Sequence, residues 1–82
     1  MTTTAVPLTQ LRSGESAIIQ GFSSGITPHH RKHLQHLGMI PKTLITLIRR
    51  APLGDPLQLQ ILGSQFSIRA SEACHIYVQH SN

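Results

Sequence analysis

The sequence has one cysteine, Cys74, in 82 residues. No internal disulfide can form, which fits a reducing compartment. Acidic side chains are scarce: Glu15, Asp55 and Glu72 stand far apart, so no paired carboxylates are offered for acid–base chemistry. Tryptophan is absent and the aromatics are Phe22, Phe66 and Tyr77, so leucine, isoleucine and valine must build the core. No aromatic row lines a strand to stack bases, and a nucleic-acid role would rest on charge alone. No run approaches the ~20 apolar residues of a membrane span. The segment Met1–Pro7 lacks the charged and apolar regions of a signal peptide. Gly-rich phosphate loops and nucleophile elbows are missing too. These absences lead us to expect a cytoplasmic protein that is not an enzyme, not membrane-embedded and not a nucleic-acid binder.

What is present fits one small domain. Such a chain buries only about 60–65% of its unfolded surface. The formal net charge is +4, from Arg12, Arg31, Lys32, Lys42, Arg49, Arg50 and Arg69, which are scattered rather than blocked. A basic balance suits an acidic partner.

Residues 1–7 are expected to be a flexible N-terminal tail, 8–79 the folded domain and 80–82 a C-terminal tail. Leu8–Leu11 suggests a short turn, and Arg12–Glu15 another. Ser16–Gln20 reads as a first strand, with Gly21 marking a bend or bulge. Thr27-Pro28 announces a helix, with Thr as N-cap and Pro at the first helical position. That helix runs to about Leu37, and Gly38 ends it in a left-handed conformation. A second strand spans Leu44–Arg50. The alternation from Leu57 onwards marks a third, to Leu62. Gly63-Ser64 suggests a two-residue type II′ turn. Gln65–Arg69 and His75–Gln79 complete the set. Five short strands and one helix between the first two strands favour a small, partly open SH3-like barrel, because such strands need mutual closure to hide their edges. The expected core is Ile18, Leu34, Leu37, Leu47, Leu59, Ile61, Phe66, Ile68, Ile76 and Val78. Cys74 shares the face of Ile76 and Val78 and reads as a small core hydrophobe.

The loop Arg49-Arg50-Ala51-Pro52-Leu53-Gly54-Asp55-Pro56 joins the second and third strands. Two prolines fix φ, and Ala51 and Asp55 are restricted by the prolines after them. Pro52 suits the second position of a type I turn, with Gly54 at the fourth. A plain reversal needs only two residues, so this stiff loop has two readings. It is a well-made turn, or it is a preformed surface for a partner, with Arg49, Arg50, Pro52, Leu53, Gly54 and Asp55 as the contact residues.

His29, His30, His33 and His36 all fall on the one helix. His29, His33 and His36 lie within about 60° of one another on an ideal wheel, with Leu34 and Leu37 roughly 100° away. His29 and His33 at i, i+4 are a candidate pair of ligands for a divalent metal. The competing reading is a solvated polar flank, with His30 a core-edge histidine held through one ring nitrogen. No third ligand is offered nearby in sequence.

Three stretches carry a family resemblance: Leu34-Gln35-His36-Leu37-Gly38-Met39-Ile40-Pro41-Lys42-Thr43, Arg49 to Pro56, and Phe66-Ser67-Ile68-Arg69-Ala70-Ser71-Glu72-Ala73. Together they resemble the ferrous iron transport protein A family, FeoA, over nearly the whole chain from Leu8 to Val78. Lys42 departs from that pattern, standing where the family usually has Gly. The resemblance implies an SH3-like fold, a cytosolic location and a non-catalytic role beside FeoB, the membrane ferrous-iron transporter, whose cytosolic domain would be the partner. It implies no firm cofactor and leaves a homo-oligomer open. The histidine-rich helix lies outside the family pattern and keeps a second reading alive, a metal-sensing or metal-delivering module.

Overall fold

The computed structural model describes residues 5–80. Strands β1 (Val6–Pro7), β2 (Ser16–Phe22), β3 (Leu44–Arg50), β4 (Leu57–Ile61), β5 (Ser64–Ile68) and β6 (Ile76–His80) form one sheet in the order β1-β6-β2-β3-β4-β5. All pairings are antiparallel. The sheet is not closed; β1 and β5 stand at its two ends. The fold is mainly β, as expected, with helix α1 (Pro28–His36) inserted between β2 and β3 and a four-residue helix α2 (Ala70–Ala73) between β5 and β6. No helix among the described residues is long and apolar enough to cross a membrane.

Period-2 patterning builds the core. Ala17 and Ile19, Ile45 and Leu47, Leu57, Leu59 and Ile61, and Ile76 and Val78 all turn to the same interior. Register breaks in β2 between Ile19 and Gly21, where a bulge had been expected, and again in β3 between Leu47 and Arg49.

The helix starts and stops where the sequence placed it. The Thr27 side chain accepts the His30 N–H at 3.2 Å, with Pro28 at the first position. At the other end Gly38 has φ +100. The Gly38 N–H bonds the Gln35 carbonyl and the Met39 N–H bonds the Leu34 carbonyl, a Schellman closure that seats buried Met39 beside buried Leu34.

Several expectations need correction. There are six strands rather than five, because Val6–Pro7 pairs with Tyr77 and Val78, so the ordered domain begins before residue 8. His80, assigned to the C-terminal tail, pairs with Ala17 as the last residue of β6; the outer parts of both tails lie outside the described residues. Ile18 is only half-buried, since β2 turns Ala17 and Ile19 inward instead. Leu37 is 36% exposed, because Gly38 redirects the chain and Met39 fills the interior. Phe66 is half-buried against the core on the end strand β5, which has no outer neighbour to cover it. Cys74 is exposed. It ends α2, where its thiol donates to the Ser71 carbonyl at 3.2 Å, so the alternation of β6 does not extend back to it. The β4–β5 turn is Leu62-Gly63, with φ +52 and +84, the double positive φ of a type I′ rather than a type II′ turn.

Candidate functional site

The loop between β3 and β4 is held at four points. Gly54 N–H bonds the Ala51 carbonyl at 2.7 Å, which closes the expected turn with Pro52 second and Gly54 fourth. Ala51 N–H bonds the Pro56 carbonyl at 3.0 Å and shuts the neck of the loop. Outside the loop, Asp55 Oδ1 accepts the Ala70 N–H at 2.8 Å, capping α2. At its base, Arg50 Nη2 donates to the carbonyls of Thr9 and Leu11, which fixes the end of β3 to the segment after β1.

These bonds divide the candidate contact residues. Arg50 and Asp55 are committed to anchoring the loop. Arg49 and Pro52 are exposed, and Arg49 Nε donates to Gln58 Oε1 at 2.9 Å. Leu53 is 96% exposed at the tip. Beside the loop runs a groove along the β5 end of the sheet. One cavity of about 210 Å³ is lined by Arg49, Arg50, Pro52 and Gln58. A second of about 360 Å³ is lined by Asp55, Arg69 and Glu72, and the two share Pro56 and Ser67.

Each of the three acidic side chains is engaged by the fold. Glu15 accepts the Arg12 N–H at 2.6 Å, Asp55 caps α2, and Glu72 Oε2 lies 2.5 Å from His30 Nε2. The hydrogen bond to His30 lowers the Glu72 pKa. Partial burial opposes the shift, and the charges of His30 and His33 and the Arg69 amide add to it. His30 is thus the core-edge histidine held through one ring nitrogen. The remaining helix histidines, His29, His33 and His36, are exposed. Among the described residues no three His, Cys, Asp or Glu side chains form a group that could hold a metal ion.

A family model for the FeoA domain matches residues 6–80. The chain belongs to the FeoA family. The FeoA-like protein from Clostridium acetobutylicum has the same fold at a TM-score of 0.86 and 27% identity, over 100% of this chain and 92% of that one. FeoA from Chlorobium tepidum gives 0.86 and 28%, over 94% of this chain and 71% of that one. FeoA from Stenotrophomonas maltophilia, complexed with zinc and described as an SH3 domain protein, gives 0.78 and 24%, over 89% and 88%.

The FeoA family is linked to ferrous iron transport. The Lys42 departure from the FeoA pattern now has a physical content. Lys42 has φ +74, a conformation that glycine adopts freely, and its N–H is fixed to the Ile19 carbonyl at 2.8 Å. Sequence reasoning missed Glu72 and Arg69. Glu72 meets His30 only through tertiary structure, and Arg69 reaches the groove only because β5 lies beside the loop.

Proposed function

We propose that this chain is a non-catalytic accessory protein of ferrous iron uptake that docks on the cytosolic part of the FeoB transporter through the loop between β3 and β4. The carrying observation is Leu53, 96% exposed on a loop tied at its neck, base and tip. A large apolar side chain in water has no stabilising role in the monomer. Set on a segment that is already ordered, it loses little entropy on binding and suits the centre of a contact.

Charge supports an acidic partner. Among the described residues the only carboxylate ion pairs are with histidines, His30–Glu72 and His80–Glu15. The exposed cations Arg12, Arg31, Lys32, Lys42, Arg49 and Arg69 therefore keep their fields for an outside surface. Arg49 and Arg69 both line the groove beside Leu53. Arginine heads of this kind can grip carboxylates bidentately.

In this reading the contact residues are Arg49, Pro52, Leu53 and Gly54, while Arg50 and Asp55 hold the loop in shape. Calorimetry of this chain against the transporter's isolated cytosolic part tests it. Saturable binding that weakens with added salt is expected, and no binding at low salt overturns the reading.

A further inference from the structure

Helix α1 reads PHHRKHLQH, four histidines in nine residues; among the described residues only the His30 side chain is hydrogen-bonded within the fold, while His33 feels the charge of Glu72. His29, His33 and His36 are exposed and make no hydrogen bond or ion pair among the described residues. Packing does not require them, since the buried residue of the helix is Leu34. Helix propensity does not require them either, because Gln, Glu, Lys or Ala would serve better at exposed helical positions.

Their spacing is chemically specific. His29 and His33 stand at i, i+4, and His33 and His36 at i, i+3, so each pair has Cβ atoms about 5–6 Å apart. Two imidazoles at that separation can close on one ion at nitrogen–metal distances of about 2.0–2.1 Å. His29 and His36 are about 10.5 Å apart along the axis, too far to share an ion. The stripe is therefore two overlapping pairs with His33 in both, which is why it forms no three-ligand group.

We propose that the exposed face of α1 is a binding site for one first-row transition-metal dication, with His33 as the constant ligand and His29 or His36 as the second. Imidazole suits iron, nickel, copper and zinc, and the absence of an oxygen ligand from either pair disfavours magnesium and calcium. Two protein ligands leave the other positions to water or an outside group, as in an exchangeable site rather than a closed structural one. Lys32 lies about 40° from His36 on the wheel, and its positive charge keeps the affinity modest. This site is separate from the docking loop and does not depend on that reading.

The test is calorimetric titration of the full chain with zinc chloride and, in parallel, magnesium chloride. Alanine at these exposed positions favours the helix, so the variants fold. Zinc binds the parent and magnesium does not. His33→Ala, which breaks both pairs, lowers zinc affinity at least about tenfold, the scale on which ligand surroundings set metal affinity. His29→Ala and His36→Ala each lose much less, because one pair survives, while the double variant matches His33→Ala. Without any substitution, zinc shifts the imidazole NMR signals of His29, His33 and His36 and leaves those of His75 and His80. Unchanged zinc affinity in His33→Ala overturns the proposal, as does no binding to the parent, equal binding of magnesium, or shifts confined to His75 and His80.

Discussion

His30 Nε2 lies 2.5 Å from Glu72 Oε2 and joins α1 to α2 across 42 positions of sequence. It links the helix inserted after β2 to the helical turn before β6. It also lowers the Glu72 pKa, and the sign of its pH dependence follows. A carboxyl with a depressed folded-state pKa stabilises the fold fully above its unfolded value, about 4.3. That contribution is lost as pH falls through the folded value. Glu72→Gln should therefore cost about 1 kcal/mol at pH 6, a hydrogen bond to a charged group discounted for partial exposure. The gap between variant and parent should close in urea melts toward pH 3. A gap that persists unchanged at low pH would contradict this.

Gly38 and Lys42 both occupy the left-handed region, at φ +100 and +74, yet replacing them should have opposite effects. Gly38→Val should cost at least about 1–2 kcal/mol from the backbone alone. More is expected because a Cβ there would sit 3.3 Å from Ile61 Cγ2. Lys42→Gly should instead stabilise by up to about 1 kcal/mol, the relief of a left-handed lysine less the added unfolded-state entropy of glycine. Thermal melts of the two variants decide. A lower melting temperature for Lys42→Gly would show that its side chain contributes more than its backbone loses.

Arg49 and Arg50 are adjacent but differ in role. Arg50 serves the Thr9 and Leu11 carbonyls, so Arg50→Glu should cost about 2 kcal/mol by removing charge-assisted hydrogen bonds and leaving those acceptors poorly satisfied. Arg49→Glu, at an exposed position, should stay within about 0.5 kcal/mol of the parent. Equal stability of the two variants would refute the anchoring role of Arg50.

The helix and the proline loop were legible in sequence because both are set by local rules. Thr27-Pro28, Gly38 and the Pro52–Gly54 turn each act through backbone geometry within four residues, and each stands where expected. Strand phase was less legible. The doublets Ile18-Ile19 and Leu44-Ile45 put one apolar residue on each face of the sheet, and nothing local says which turns inward. In each the structure buries one member and leaves the other half-buried or exposed, and Ile18 was assigned to the wrong side. Cys74 failed for a related reason, because helical residues before β6 break the alternation that placed it in the core. Within the candidate site, the stiffness of the loop could be read from its prolines. The division of labour between Arg49 and Arg50 could not, since it depends on the carbonyls of Thr9 and Leu11, about forty positions away, at separations of 41 and 39.

Among the described residues Leu53 and Leu62 are the two most exposed large apolar side chains, at 96% and 87%, and they stand at opposite ends of β4. They allow the docking surface to be located with one comparison. Leu53→Ala and Leu62→Ala should both leave the melting temperature close to that of the parent, since neither side chain is buried. Calorimetry against the transporter's cytosolic part should then show at least about tenfold weaker binding for Leu53→Ala, the loss expected of a contact anchor, and little change for Leu62→Ala. Parent-like affinity in Leu53→Ala, or loss of binding in Leu62→Ala alone, would place the contact away from the proline loop and contradict the account.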